Sequence, residues 1–155
     1  MTNRIDDTAT AEYTVTVPTT VSRATLEEIL DGLGFDWYWA YEVTHHDDLT
    51  DVERTEGLAF KVGYWDDGEQ WQPSNAPRDG AIFTHKYGIV EYHEVKVTWQ
   101  QLADGLALIA SGKLANVELT KAASTYLHAP NEADGDFWLA DVVVQAAAFG
   151  KLVFG

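Results

Sequence analysis

Between Phe35 and Val97 the chain follows a period-two pattern in four successive runs, and no helical stripe separates them. Phe35, Trp37, Trp39, Tyr41 and Val43 share one parity, as do Leu58, Phe60, Val62 and Tyr64. Ala81 to His85 and Ile89 to Val97 follow, joined through Lys86-Tyr87-Gly88. Such alternation marks strands with one buried face, and aromatic and β-branched side chains fit a pleated surface. Strands that succeed one another without a crossover helix pair antiparallel. The expected fold is α+β: an antiparallel sheet of about four to five strands with two to three helices packed on one face. Phe35–His45 reads as a central strand. Tyr13, Val15 and Val17 read as a further strand that Pro18 ends.

Helical signals flank these runs. Ser22 and Thr25 are both N-cap candidates, and Thr25-x-x-Glu28 has capping-box spacing. Leu26, Ile29, Leu30 and Leu33 then form one apolar stripe, with Gly32 and Gly34 suited to end it. Thr98-x-x-Gln101 is a second capping box, ahead of a helix through Leu102, Leu106 and Ile109 to Gly112. Residues 118–127 fit a strand or a short helix. Asp134 or Asp136 caps a last helix through Phe149, Gly150 stops it, and Leu152 to Phe154 reads as a short terminal strand. Residues 1–10 read as a disordered tail, and 11–155 as a single domain.

The chain has no cysteine, which excludes disulfides and thiolate chemistry. Its first eighteen residues lack an apolar h-region. The longest apolar run, Phe137 to Phe149, is broken by Asp141 and Gln145 and is shorter than the roughly 20 residues a membrane span needs. A cytoplasmic protein is expected. The formal charge is −15, and residues 1–60 hold 13 acids against Arg4, Arg23 and Arg54. That field repels nucleic acid and anionic membrane and attracts basic partners.

No phosphate-binding glycine loop, nucleophile elbow or His-Glu-x-x-His run is present, and no cofactor is expected. The metal candidate is His45, His46 and Asp48, with Asp47 between them and His85 and His93 as additions. Adjacent strand residues point to opposite faces, which works against joint chelation by His45 and His46. His93 is also a general-base candidate, though a strand histidine paired to a carboxylate is the plainer reading. Trp65-Asp66-Asp67-Gly68-Glu69-Gln70-Trp71 sets two indoles around three carboxylates and a turn. It is a candidate contact segment, against the plainer reading of a core Trp65 and a solvated turn.

The run from Asp134 to Gly155, with its acidic, Ala-rich helix, Val144-Gln145 pair, Phe149-Gly150 and terminal Phe154-Gly155, resembles the ending of small uncharacterised proteins of actinobacterial phages and prophages. The Thr98-Trp-Gln-Gln-Leu-Ala run is similar to theirs as well. The resemblance covers about the last third of the chain. It implies a phage or mobile-element setting and assigns no activity.

Three functions are consistent with these features. The leading one is a non-enzymatic accessory factor that binds a basic protein, as an inhibitor or nucleic-acid mimic. Asp47, Asp48, Asp51, Glu53, Asp66, Asp67 and Glu69 would supply its field, and Trp65 or Trp71 its anchor. The second is a metal-dependent enzyme or small-ligand binder using His45–Asp48. The third is a soluble, halophilic-type domain whose acids have no specific partner.

Overall fold

Leu58–Trp65 (β2) and Gly88–Thr98 (β4) form the central antiparallel pair of a four-stranded sheet. Glu42–Thr44 (β1) pairs with β2 on one edge and Ile82–His85 (β3) with β4 on the other, giving the order β1-β2-β4-β3. Every pairing is antiparallel. The computed structural model describes residues 19–34, 37–134 and 136–155, so the tail and the Tyr13–Val17 strand lie outside the described residues.

The helices among the described residues are Arg23–Asp31 (α1), Asp51–Thr55 (α2), Trp99–Ala110 (α3), Val117–His128 (α4) and Phe137–Phe149 (α5). The fold is α+β, with more helices than the two to three expected. Two local signals account for the excess. Thr50 and Glu53 close a capping box that makes α2 out of an acidic stretch between the strands. Asn116 accepts from Leu119 N, and Leu119, Ala123 and Tyr126 then present a helical stripe, which makes α4 a helix. Ser22 caps α1, Thr98 caps α3 through a full box with Gln101, and Asp136 caps α5.

Alternation along β2 and β4 divides the apolar residues between two layers. Phe60, Val62 and Tyr64 stand opposite Val97, Val95 and His93. That face packs under α3 and α5, which also pack on each other and are flanked by α1 and α4. The other parity places Trp65 opposite Tyr92 and Phe83 opposite Val90, in a smaller cluster shared with Tyr41 and Trp71. Gly63 lets Tyr92 lie flat there, since a Cβ at 63 would sit 1.7 Å from the phenol oxygen. Burial pushes the Tyr92 hydroxyl up to about 12, so it stays neutral.

Phe35–His45 is not a central strand. Ala40 N donates to Trp37 O in a turn, Tyr41 N donates to Gly63 O, and the strand itself is only Glu42–Thr44, at the sheet edge. Phe35 and Asp36 lie outside the described residues. Trp37 and Trp39 are both buried in the helix-side core, because the segment crosses from the helices to the sheet. Leu152–Phe154 is not a strand either. The side chain of Gln145, itself buried, accepts from Val153 N and Phe154 N and donates to Phe154 O. Phe154 stacks on Trp39 at 5.0 Å.

Two substitutions test this packing. At Gly105 a Cβ would approach Ala147 N to 2.7 Å and Val143 O to 2.8 Å, both backbone atoms of α5. Gly105→Ala should lower stability by about 2 kcal/mol in urea unfolding, although alanine favours helix. Gln145→Ala should cost a similar amount, about 2 kcal/mol, and remove hydrogen-exchange protection from the Val153 and Phe154 amides.

Candidate functional site

After β1 the chain makes a 3-10 turn at His46–Asp48 and enters α2 through the Thr50 cap. This segment lies beside α1 and the first turn of α3, and a cleft of about 230 Å³ opens between them. Glu27, Leu30 and Asp31 of α1 line it, with His45, His46, Asp47 and Trp99. Glu27 and Asp31 stand i, i+4 on α1 and so share one face.

Basic residues at this end are engaged in local structure. The Arg23 guanidinium lies 4.6 Å over the Trp99 ring, bonds Glu27 at 3.1 Å and contacts the His46 ring. Arg54 donates to the carbonyls of His46 and Asp47, which holds the 3-10 turn against α2. Lys61 of β2 meets Glu53 at 2.8 Å. Among the described residues, Asp31, Asp47, Asp48 and Asp51 have no Lys or Arg within 4.0 Å. Asp47 is fully exposed. Of the carboxylates that line the cleft, Glu27 is thus paired with Arg23, while Asp31 and Asp47 have no Lys or Arg beside them among the described residues.

The residues singled out in the sequence separate into two groups. Asp47, Asp48, Asp51 and Glu53 precede β2, and Asp66, Asp67 and Glu69 follow it. Eight residues at about 3.3 Å each make β2 roughly 26 Å long, so the turn at Asp47 and Asp48 and the turn at Asp66 and Asp67 lie at opposite ends of it. Glu53 is 13% exposed and serves the cap and the Lys61 pair. Trp65 is 1% exposed; its indole donates to Trp71 O, so it is a core residue and no anchor. Trp71 is half-buried, stacks on His85 at 3.8 Å and donates to Asp67 Oδ2, which also makes Asp67 a turn-forming residue.

His45, His46 and Asp48 do not converge. The His45 ring sits edge-on to Trp37, His46 turns to Arg23 and Trp99, and Asp48 faces solvent. Among the described residues, the metal-ligating group whose donor atoms all lie within 4.8 Å of one another is Asp66, Glu91 and His93. Sequence reasoning missed Glu27, Asp31 and Trp99. The i, i+4 acids on the polar face of α1 were the available signal. What faces them depends on tertiary packing.

Comparison with known proteins gives no match to a protein family, a curated protein or a solved structure. Among the described residues no helix is long and apolar enough to cross a membrane.

Lys61 and the Thr50 cap hold the Glu53 carboxyl down at about 2 from its ordinary 4.5. A depressed folded-state pKa means that the pair's stabilisation is complete above 4.5 and is lost as pH falls toward 2. The melting-temperature gap between wild type and Glu53→Gln should therefore be widest near neutral pH and close across that window.

Proposed function

We propose that the chain is a non-enzymatic accessory factor that binds a basic protein through the cleft at the acidic end. The reading rests on one observation: Trp99, Glu27 and His46 already seat the Arg23 guanidinium, while Asp31 and Asp47 of the same cleft have, among the described residues, no Lys or Arg within 4.0 Å. An aromatic face with flanking carboxylates suits arginine, whose flat, weakly hydrated guanidinium stacks and forks at once. A partner that presents arginines to nucleic acid would offer matching side chains, so inhibition by mimicry fits. The resemblance of the last third of the chain to phage and prophage proteins suggests a host or defence factor as target, met in the cytoplasm, with no membrane and no nucleic acid bound directly.

Calorimetric titration with an arginine-rich peptide tests this. Binding should weaken as salt rises and should be competed by heparin. Replacing Asp31 and Asp47 together by Asn should weaken it about tenfold, the effect of two partly exposed charge contacts. The Asp67→Asn, Glu69→Gln pair, at the far end of β2, should leave it nearly unchanged. Equal losses from both pairs would mean bulk charge attraction without a site, and the reading would fall.

A further inference from the structure

We propose that Asp66, Glu91 and His93 form a binding site for one first-row divalent cation at the end of the sheet opposite the acidic cleft. Glu91 and His93 stand two apart on β4 and so project from the same face. Asp66 follows β2, and its amide donates to Glu91 O at 3.0 Å, which sets it beside Glu91. His93 Nε2 lies 3.8 Å from Glu91 Oε2, and all three donor atoms lie within 4.8 Å of one another.

Three further features distinguish this trio from ordinary surface acids. The first is the charge balance. Two carboxylates, one just after β2 and one on β4, lie within 4.8 Å of each other, and among the described residues neither has a Lys or Arg within 4.0 Å. Like charges so placed repel, and a bound dication removes that cost. The second is preorganisation. The His93 ring lies against Tyr64, its cross-strand neighbour, at 5.4 Å. Tyr64 is held in turn by Phe149 and Phe154 at 5.3 and 5.7 Å. The imidazole thus rests on an aromatic platform fixed by the core, while the exposed Asp66 and Glu91 side chains are free to turn inward. Ligand atoms around a tetrahedral ion with bonds near 2.1 Å are about 3.4 Å apart, so small rotations close the set.

The third is donor chemistry. One imidazole nitrogen with two carboxylate oxygens suits Zn²⁺ or Mn²⁺. Ca²⁺ would want six to eight oxygens, which this trio does not offer. Three protein ligands on an exposed face leave the remaining coordination positions to solvent. Because one ligand comes from beyond β2 and two from β4, the ion would also clip the central strand pair together. None of this depends on the basic-partner reading, which uses residues at the other end of β2.

The test is calorimetry and thermal melting of the EDTA-treated full chain with ZnCl₂, MnCl₂ and CaCl₂. The expected result is saturable one-to-one binding of Zn²⁺ or Mn²⁺ with a rise in melting temperature. His93→Asn and Glu91→Gln should each weaken binding by about tenfold or more and abolish the rise. Asp47→Asn and His46→Gln should change neither. Absence of a saturable one-to-one isotherm, an unaltered affinity in His93→Asn, or Ca²⁺ binding as tight as that of Zn²⁺ and Mn²⁺ would overturn the proposal.

Discussion

Asp141 is buried in the middle of α5, and three side chains converge on it. Trp39 donates its indole N–H at 2.9 Å, Gln145 its amide at 3.1 Å and Tyr38 its hydroxyl at 3.4 Å. A buried carboxyl group is tolerated only when its oxygens are hydrogen-bonded. That requirement brings the segment before β1, α5 and the C-terminal residues to one place. Gln145 then fixes Phe154, Phe154 stacks on Trp39, and the two indoles of Trp37 and Trp39 fill the space between helices and sheet. The edge at which β1 joins the sheet follows from this anchoring.

The rest of the architecture is arranged around that junction. Because Tyr38 and Trp39 are tied to α5, the chain joins the sheet only from Tyr41 to Thr44 and turns at His46–Asp48. The turn sets His46 and Asp47 across from α1 and Trp99 and creates the cleft. The loop after β2 does the equivalent on the other sheet face. Trp71 closes over the smaller aromatic cluster, and Gln70 donates to Ala40 O at 2.7 Å, tying that loop back to the same junction.

Net charge by itself describes the electrostatics poorly. Arg23, Arg54 and Lys61 neutralise or hold particular groups, and Glu53 and Asp67 act chiefly as caps and turn formers. Among the described residues, two clusters with different chemistry stand out. One is a cleft of carboxylates with an aromatic floor. The other is a compact oxygen-and-imidazole trio beside the Tyr64 platform. The first suits a guanidinium and the second a metal ion, because a flat cation needs a ring face whereas a small dication needs converging lone pairs.

Local signals in the sequence determined a good deal. The box at Thr98, the stripe of α1, the stop at Gly150 and the alternation of β2 and β4 were all legible, and with them the α+β class. These depend on neighbours within a few residues. Alternation at Trp37 and Trp39 misled, since period two reports which side chains are buried and says nothing of what buries them. The core position of Trp65, the pairing of Glu53 with Lys61 and the meeting of Asp66 with Glu91 and His93 were settled only by tertiary structure. Each depends on strand register or helix packing between residues distant in the chain, and short-range periodicity carries no record of such contacts.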